Sequence, residues 1–194
     1  LGNGSFGAVY GVTEDSTRTQ RALTVEHLDP NLSFSQLAYE SRVYRALAAC
    51  PCVPRHHGSL TADHAHRYLV LDLLNQDLQT VLDAAPGRRL PLRYVCVVGI
   101  RTLDRLRDMH EAGYLHRDVK PANFLLGDNP GKGKGFDIWP VDFGLAKRFL
   151  HSDGTHVTRA RAPGLTGTPR FASLFAHQGS QNGRRDDLES LLYM

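Results

Sequence analysis

The chain has 194 residues and a net charge of +3, with charged residues of both signs making up 22% of it. That length suits one domain with a sizeable core or two small lobes, and so slight a positive balance gives no argument for a nucleic-acid partner. No apolar run approaches the roughly 18–20 residues that span a membrane, and three cysteines (Cys50, Cys52 and Cys96) form no framework, which suits a reducing intracellular compartment, cytoplasmic or nuclear.

The first stretch, LGNGSFGAVYG, spaces Gly2, Gly4 and Gly7 as a turn that can wrap phosphates. In a dinucleotide-binding fold a helix starts at the third glycine. Here the strand-forming AVYGV follows, which leaves a phosphate loop of another kind or a plain glycine turn. Residues 8–12 and 20–26 read as two strands joined by the polar TEDSTRT. Thr24 stands where the strand behind such a loop is expected to deliver a lysine. Ser33-Phe-Ser-Gln36 is a capping-box pattern that opens a helix running to about Ala49, with Pro51 beyond it. Leu37, Glu40, Tyr44 and Leu47 share one face of that helix. Glu40 therefore lies in the inward stripe, where an unpaired carboxylate is costly. Cys50-Pro-Cys52 lacks the spacing of a redox or zinc pair and reads as two ordinary thiols. His56, His57, His64 and His66 surround a hairpin without an evident ligand set and read as solvated loop residues.

RYLVLDLL, residues 67–74, is a buried strand running into the linker Asn75-Gln76-Asp77, and Asp77 caps a short helix. A long helix is expected over 91–112, with Leu92, Val95, Leu103, Leu106 and Met109 near helical spacing and Gly113 as its stop. Extended pieces follow at 122–126 and 136–142, separated by GDNPGKGKG, whose lysines cover a surface turn. Residues 143–184 read mostly as loop, and the chain stops inside the helical LESLLYM. Strands first and helices later predict an α+β architecture with two lobes. Both ends read as those of a fragment.

The chemistry is concentrated in YLHRDVKPANFLL, residues 114–126, which sets Asp118, Lys120 and Asn123 within six residues just after a helix stop. VDFGLAK follows, with Asp142 before a Phe-Gly pair. Phosphoryl transfer needs a carboxylate for the substrate hydroxyl's proton and oxygen ligands for magnesium. Asp118 suits the first task, Asn123 and Asp142 the second. A merely solvated polar loop does not account for this order and spacing together.

On these motifs the chain resembles the eukaryotic protein kinases, and among them the casein kinase 1 group with the tau-tubulin kinases. GNGSFGAVYG is similar to their nucleotide loop, YESRVYR (39–45) to the helix with its glutamate at Glu40, and HRDVKPANF and DFGLAK to the catalytic and magnesium loops. LTGTPRFAS (165–173) and GRRDDLESL (183–191) are the parts closest to casein kinase 1. The resemblance implies a partial kinase domain over 1–194, with an N-lobe at 1–74 and a C-lobe at 75–194 reaching helix F. It implies ATP and Mg2+ as cofactors, with ATP held by Gly2, Gly4, Gly7, Val9, Ala22, Thr24, Glu40 and the hinge residues Asp72 and Leu74. Leu71 would be the gatekeeper. Asp118, Lys120, Asn123 and Thr168 would be catalytic, the last with Lys120 in the serine/threonine pattern, and Asn123 and Asp142 would bind metal. His116, Phe143 and Tyr44 would stack as a spine, and Asp187 would anchor the catalytic loop. Arg170 would receive an anionic group of the substrate, while Arg159 and Arg161 read equally well as a solvated charged loop. Protein substrates of acidic or phosphorylated character are implied, acted on by a monomer with neither nucleic acid nor membrane as partner.

Four departures from the family pattern stand out. Thr24 replaces the nucleotide lysine, and Ser173-Leu-Phe175 replaces the usual anchor of the substrate loop. Pro140 removes a strand donor, and Asn75-Gln76-Asp77 changes the linker. The rival reading is a pseudokinase, the fold kept as a binding or scaffold module. With Thr24 in place, Glu40 is expected to swing outward, to hold a proton more readily, or to borrow Arg18 or Arg21.

Overall fold

A computed structural model describes all residues except 1, 5–6, 30–33, 63–64, 129–135, 152 and 158–163. The expected cap at Ser33, the GKGKG turn, His64, Arg159 and Arg161 lie outside the described residues. The chain divides into two compact units, one of residues 1–74 with 142–144 and one of 75–141 with 145–194.

The first unit is an antiparallel sheet with one helix. Strands β1 (Gly2–Gly4), β2 (Gly7–Thr13), β3 (Gln20–His27), β4 (His56–Ala62) and β5 (His66–Asp72) pair in the order β1-β2-β3-β5-β4. Gly7 is required by its surroundings, because a Cβ there would lie 2.0 Å from the carbonyl oxygen of Val25. Helix α1 (Gln36–Ala46) begins at Ser35, whose hydroxyl accepts from the Ala38 N–H at 3.0 Å. Glu26, from the end of β3, adds a second cap by accepting from the Gln36 and Leu37 N–H groups at 2.8 and 3.3 Å. A carboxylate suits that end of a helix because it meets unpaired N–H groups and the positive dipole terminus. The helix stops three residues short of the expected Ala49. Leu37, Glu40, Val43, Tyr44 and Leu47 are buried as its periodicity requires.

Cys50 and Cys52 are joined by a disulfide, which corrects their reading as free thiols. The turn after α1 brings their Cα atoms to 5.2 Å, within the span a disulfide bridges. Cysteine usage consequently no longer argues for a reducing compartment.

The second unit is mainly helical. Helix α2 (Leu78–Ala84) is capped by Asp77, which accepts from the Thr80 N–H at 2.9 Å. Helix α3 (Leu92–Glu111) ends before Gly113, whose φ of +85° suits a residue without a Cβ. Strand β6 (Tyr114–Leu115) pairs with β9 (Lys147–Arg148), and β7 (Phe124–Asp128) with β8 (Phe136–Pro140). Helices α4 (Leu174–His177) and α5 (Arg184–Tyr193) follow. Pro140 sits at the last rung, opposite Phe124, where β8 ends and its missing donor does least harm. Leu78, Leu106, Val119, Phe124 and Ile138 form the core.

The buried face of α3 differs from the one its apolar residues suggest. Thr102, Arg105, Leu106, Met109 and His110 are buried, whereas Leu92, Val95 and Leu103 are 76%, 48% and 47% exposed. Arg105 is drawn inward by an ion pair with the buried Asp137 and by donating to the Ile138 carbonyl at 2.9 Å. Among the described residues no helix is long and apolar enough to cross a membrane.

Candidate active site

In the second unit the segment between β6 and β7 is held in an unusual shape by a residue seventy positions away. Asp187, in the first turn of α5, is 1% exposed. Its carboxylate accepts from the backbone N–H groups of His116 and Arg117, both at 2.9 Å, and one of its oxygens lies 2.8 Å from His110 Nε2. Arg117 adopts a φ of 67°, which a side-chain-bearing residue takes only when its neighbours enforce it. Its Nε donates to the Leu145 carbonyl at 2.6 Å. The main chain is thereby turned so that the next side chain, Asp118, is presented among polar partners.

Four of the residues named from the sequence meet there. Asp118 Oδ2 lies 2.7 Å from Lys120 Nζ, and Oδ1 accepts from the Thr168 hydroxyl at 2.7 Å and the Thr168 N–H at 2.8 Å. Lys120 also donates to Thr168 Oγ1 at 3.1 Å. Asn123 Nδ2 donates to the Asp118 carbonyl at 3.0 Å and to Oδ2 at 3.1 Å. Both bonds use the amide nitrogen, so the hard oxygen of Asn123 is not spent on them. Burial alone would raise the Asp118 carboxyl, but the bonds from Lys120 and Thr168 outweigh it and hold the group below its ordinary value. Gly167 makes the approach of Thr168 feasible. Its φ is +95°, and a Cβ would lie 2.6 Å from the Arg117 carbonyl oxygen. Val141 donates to the Asn123 carbonyl at 3.0 Å, tying the end of the β8 segment to this loop.

The first unit places the other candidates. In β3, Ala22 pairs with Leu71 and Thr24 with Leu69 on one side, and Thr24 with Val9 of β2 on the other. Gly2 and Gly4 pair with Val9 and Gly7, so β1 runs antiparallel to the start of β2. The Asp72 side chain is engaged by His57 at 2.6 Å, Arg21 at 3.5 Å and the Arg55 N–H at 3.1 Å, which leaves a hinge role there to the backbone; Leu74 is half-buried. Asp142 has a φ of 62°, in the left-handed region.

Glu40 stays inside. It is 7% exposed and accepts from the Phe143 N–H at 3.2 Å, while Tyr44 on the next turn meets the Phe143 ring edge-on at 4.7 Å. The outward swing offered as one outcome of losing the lysine does not occur. Nor does the loan of an arginine: Arg21 is committed to Glu14 and Asp72, and neither Arg18 nor Arg21 is among the groups acting on the Glu40 carboxyl. The remaining outcome fits: burial first, then the neighbouring Asp142 carboxylate, pushes the Glu40 carboxyl up to about 8. The Phe143 N–H works in the other direction without compensating.

Sequence reasoning missed a second buried link. Ser173 is fully buried, caps α4 and donates to Asp186 Oδ1 at 2.6 Å, while Arg185 lies over the Phe175 ring at 4.1 Å. The departure at 173–175 thus replaces one anchor with another, through residues next to Asp187. The only signal was the doubled aspartate at the start of a predicted helix. Arg170 is exposed, 5.5 Å above the Phe171 ring, with no carboxylate partner among the described residues. His56 lies 3.4 Å from Ser41 Oγ, and His66 stacks on His27 at 4.3 Å. Among the described residues no group of three His, Cys, Asp or Glu is placed to hold a metal.

Comparison with known proteins matches residues 1–173 to the protein kinase domain. A probable casein kinase I homolog of Encephalitozoon cuniculi (strain GB-M1) is 34% identical over 196 residues, covering 100% of this chain and 58% of that protein. A probable serine/threonine-protein kinase of Dictyostelium discoideum is 33% identical over 194 residues, with 100% and 38% covered. The chain therefore spans less than two thirds of either relative. Among solved structures, that of vaccinia related kinase 3 matches with a TM-score of 0.76 at 24% identity, covering 100% of this chain and 68% of that one, and shows a shared fold.

Proposed function

The chain belongs to the protein kinase family, and on that premise we propose that it is a serine/threonine kinase of the casein kinase 1 group. It would transfer the ATP γ-phosphoryl group to protein hydroxyls. The observation that carries the reading is the Asp118 carboxylate, ionised at neutral pH and held among Lys120, Thr168 and Asn123. The residues fit magnesium and ATP in two respects. Asn123 and Asp142 offer hard oxygen donors, and Gly7 allows the close backbone packing that a phosphate-wrapping turn needs. Thr24 is the misfit, since it brings no cation.

Bound magnesium would neutralise charge on the phosphates. Asp118 positions the substrate hydroxyl and accepts its proton, which serves mainly to aim the oxygen. Lys120, held by Thr168, offsets the negative charge beside the carboxylate. Arg170, exposed and without a carboxylate partner among the described residues, suits an acidic or phosphorylated side chain of the substrate. The second reading, a pseudokinase binding module, is favoured by one observation: Glu40 is buried with carboxylates, not cations, bearing on it.

Transfer of label from γ-labelled ATP to an acidic protein substrate distinguishes the two. Transfer is expected with magnesium, and its loss is expected on chelation and in Asp118→Asn. Incorporation that survives Asp118→Asn overturns the assignment of the base.

A further inference from the structure

The turn after α1 holds a chemical group that none of the roles above uses. Cys50 and Cys52 are bridged, with only Pro51 between them. Cys52 is fully buried, whereas Cys50 is half-buried beside the exposed Pro51. A disulfide stabilises a fold mainly by restricting the unfolded chain, and the effect grows with the loop it closes. A loop with one intervening residue restricts very little, so this bridge is poorly suited to holding the fold together. What it fixes is local. On the helix side, the Leu47 N–H donates to the Val43 carbonyl at 2.9 Å and the Cys50 N–H to the Leu47 carbonyl at 2.8 Å, and Tyr44 and Leu47 are buried. On the other side, Val53 and Pro54 are buried and lead to Arg55. There the Asp72 N–H donates to the Arg55 carbonyl and the Arg55 N–H to the Asp72 carboxylate, both at 3.1 Å. Two buried residues therefore separate the bridge from the partner of Asp72, which the family resemblance assigns to the hinge.

We propose that Cys50–Cys52 is a reversible redox site, exchanged with small thiols and disulfides of the glutathione class, and that its state sets how firmly Arg55 holds Asp72. Reduction begins when an external thiolate attacks Sγ of Cys50, the less buried of the two residues. The S–S bond breaks, and Cys52 leaves as a thiolate that takes up a proton. A second external thiolate then attacks the external sulfur of the mixed disulfide. The external disulfide forms, and Cys50 is released as a thiolate and protonated. The protein gains two electrons and two protons, and two external thiols are oxidised to one disulfide. Oxidation reverses each step. With the bridge open, the turn loses its cross-link and the segment through Val53 and Pro54 holds Arg55 against Asp72 less firmly.

The test uses the full chain with Cys96→Ser, which removes the free and exposed third thiol. The folded protein is equilibrated in glutathione buffers from fully reduced to equal parts reduced and oxidised, quenched in acid and alkylated with N-ethylmaleimide in urea. Intact mass is expected to show no addition at the oxidised end and two at the reduced end. No addition even at the reduced end would make the bridge inert and overturn the proposal, and two additions in every buffer would overturn it by showing that no bridge forms. Hydrogen exchange of peptides covering 53–57 and 70–74 is expected to quicken roughly threefold or more on reduction, while a peptide covering 114–119, held by Asp187, stays unchanged. Cys50→Ala breaks the bridge and leaves the buried Cys52 in place. It should exchange like the reduced protein in every buffer. Reduction without faster exchange at 70–74, or exchange that still follows the buffer in Cys50→Ala, overturns the link to Asp72.

Discussion

Glu40 should make the stability of the protein fall as pH rises across the neutral range. In an unfolded chain its carboxyl has the ordinary value of 4.5, and in the folded protein it is pushed up to about 8. Between these values the folded state holds a proton that the unfolded state has released. The stabilisation is therefore complete below about 4.5 and is lost as pH climbs to about 8. One proton corresponds to about 1.36 kcal/mol per pH unit, so the whole window is worth roughly 5 kcal/mol. That is comparable with the full stability of a small domain, ~5–15 kcal/mol. Urea unfolding followed by circular dichroism at pH 5, 6, 7 and 8 measures it. Glu40→Gln keeps the shape and abolishes the titration, so the difference between parent and variant isolates this side chain. The parent should lose stability relative to Glu40→Gln with rising pH. Thr24→Lys, by supplying a cation, should pull the Glu40 carboxyl down and flatten the dependence. Parallel pH profiles for the parent and Glu40→Gln would refute the reasoning.

ATP should raise the unfolding temperature more with magnesium than without, by mass action, and Asp142→Ala should abolish the increment; an increment that persists removes Asp142 from the metal site. Arg170→Ala should impair use of a phosphorylated or acidic peptide more than a neutral one, with a gap that shrinks at high salt; equal losses would indicate a structural role. Gly167→Ala places a Cβ against the Arg117 carbonyl at positive φ and should lower stability by about 1–3 kcal/mol in urea unfolding; an unchanged midpoint would show that the loop relaxes.

The segment proposed to carry the chemistry was legible because its residues are local. Asp118, Lys120 and Asn123 lie within six residues, and a helix stop before them marks a loop. The inward position of Glu40 followed from helical periodicity alone. What could not be read depends on pairing at long range. The buried face of α3 is set in part by Arg105 with Asp137, 32 residues on, so apolar spacing pointed to Leu92, Val95 and Leu103, which are exposed. Ser173 finds Asp186 only after α4 and α5 have packed. The Cys50–Cys52 bridge depends on the shape of the turn after α1, and a two-residue separation does not reveal that shape. The part Glu26 plays at the start of α1, accepting from Ser35 and Gln36, comes from a different element and has no local signal.

The central claim is that phosphoryl transfer persists but is slow, because Asp118 is in place while position 24 carries no charge. Losing one preorganised electrostatic contact typically costs ~10²–10³ in rate. Single-turnover transfer from γ-labelled ATP, compared between the parent and Thr24→Lys, tests it most directly. A slow but measurable parent rate is expected, rising at least tenfold in Thr24→Lys, with much of the gain removed by Glu40→Ala in that background. No labelled product from either protein, together with no ATP binding, would contradict the account and leave a binding module.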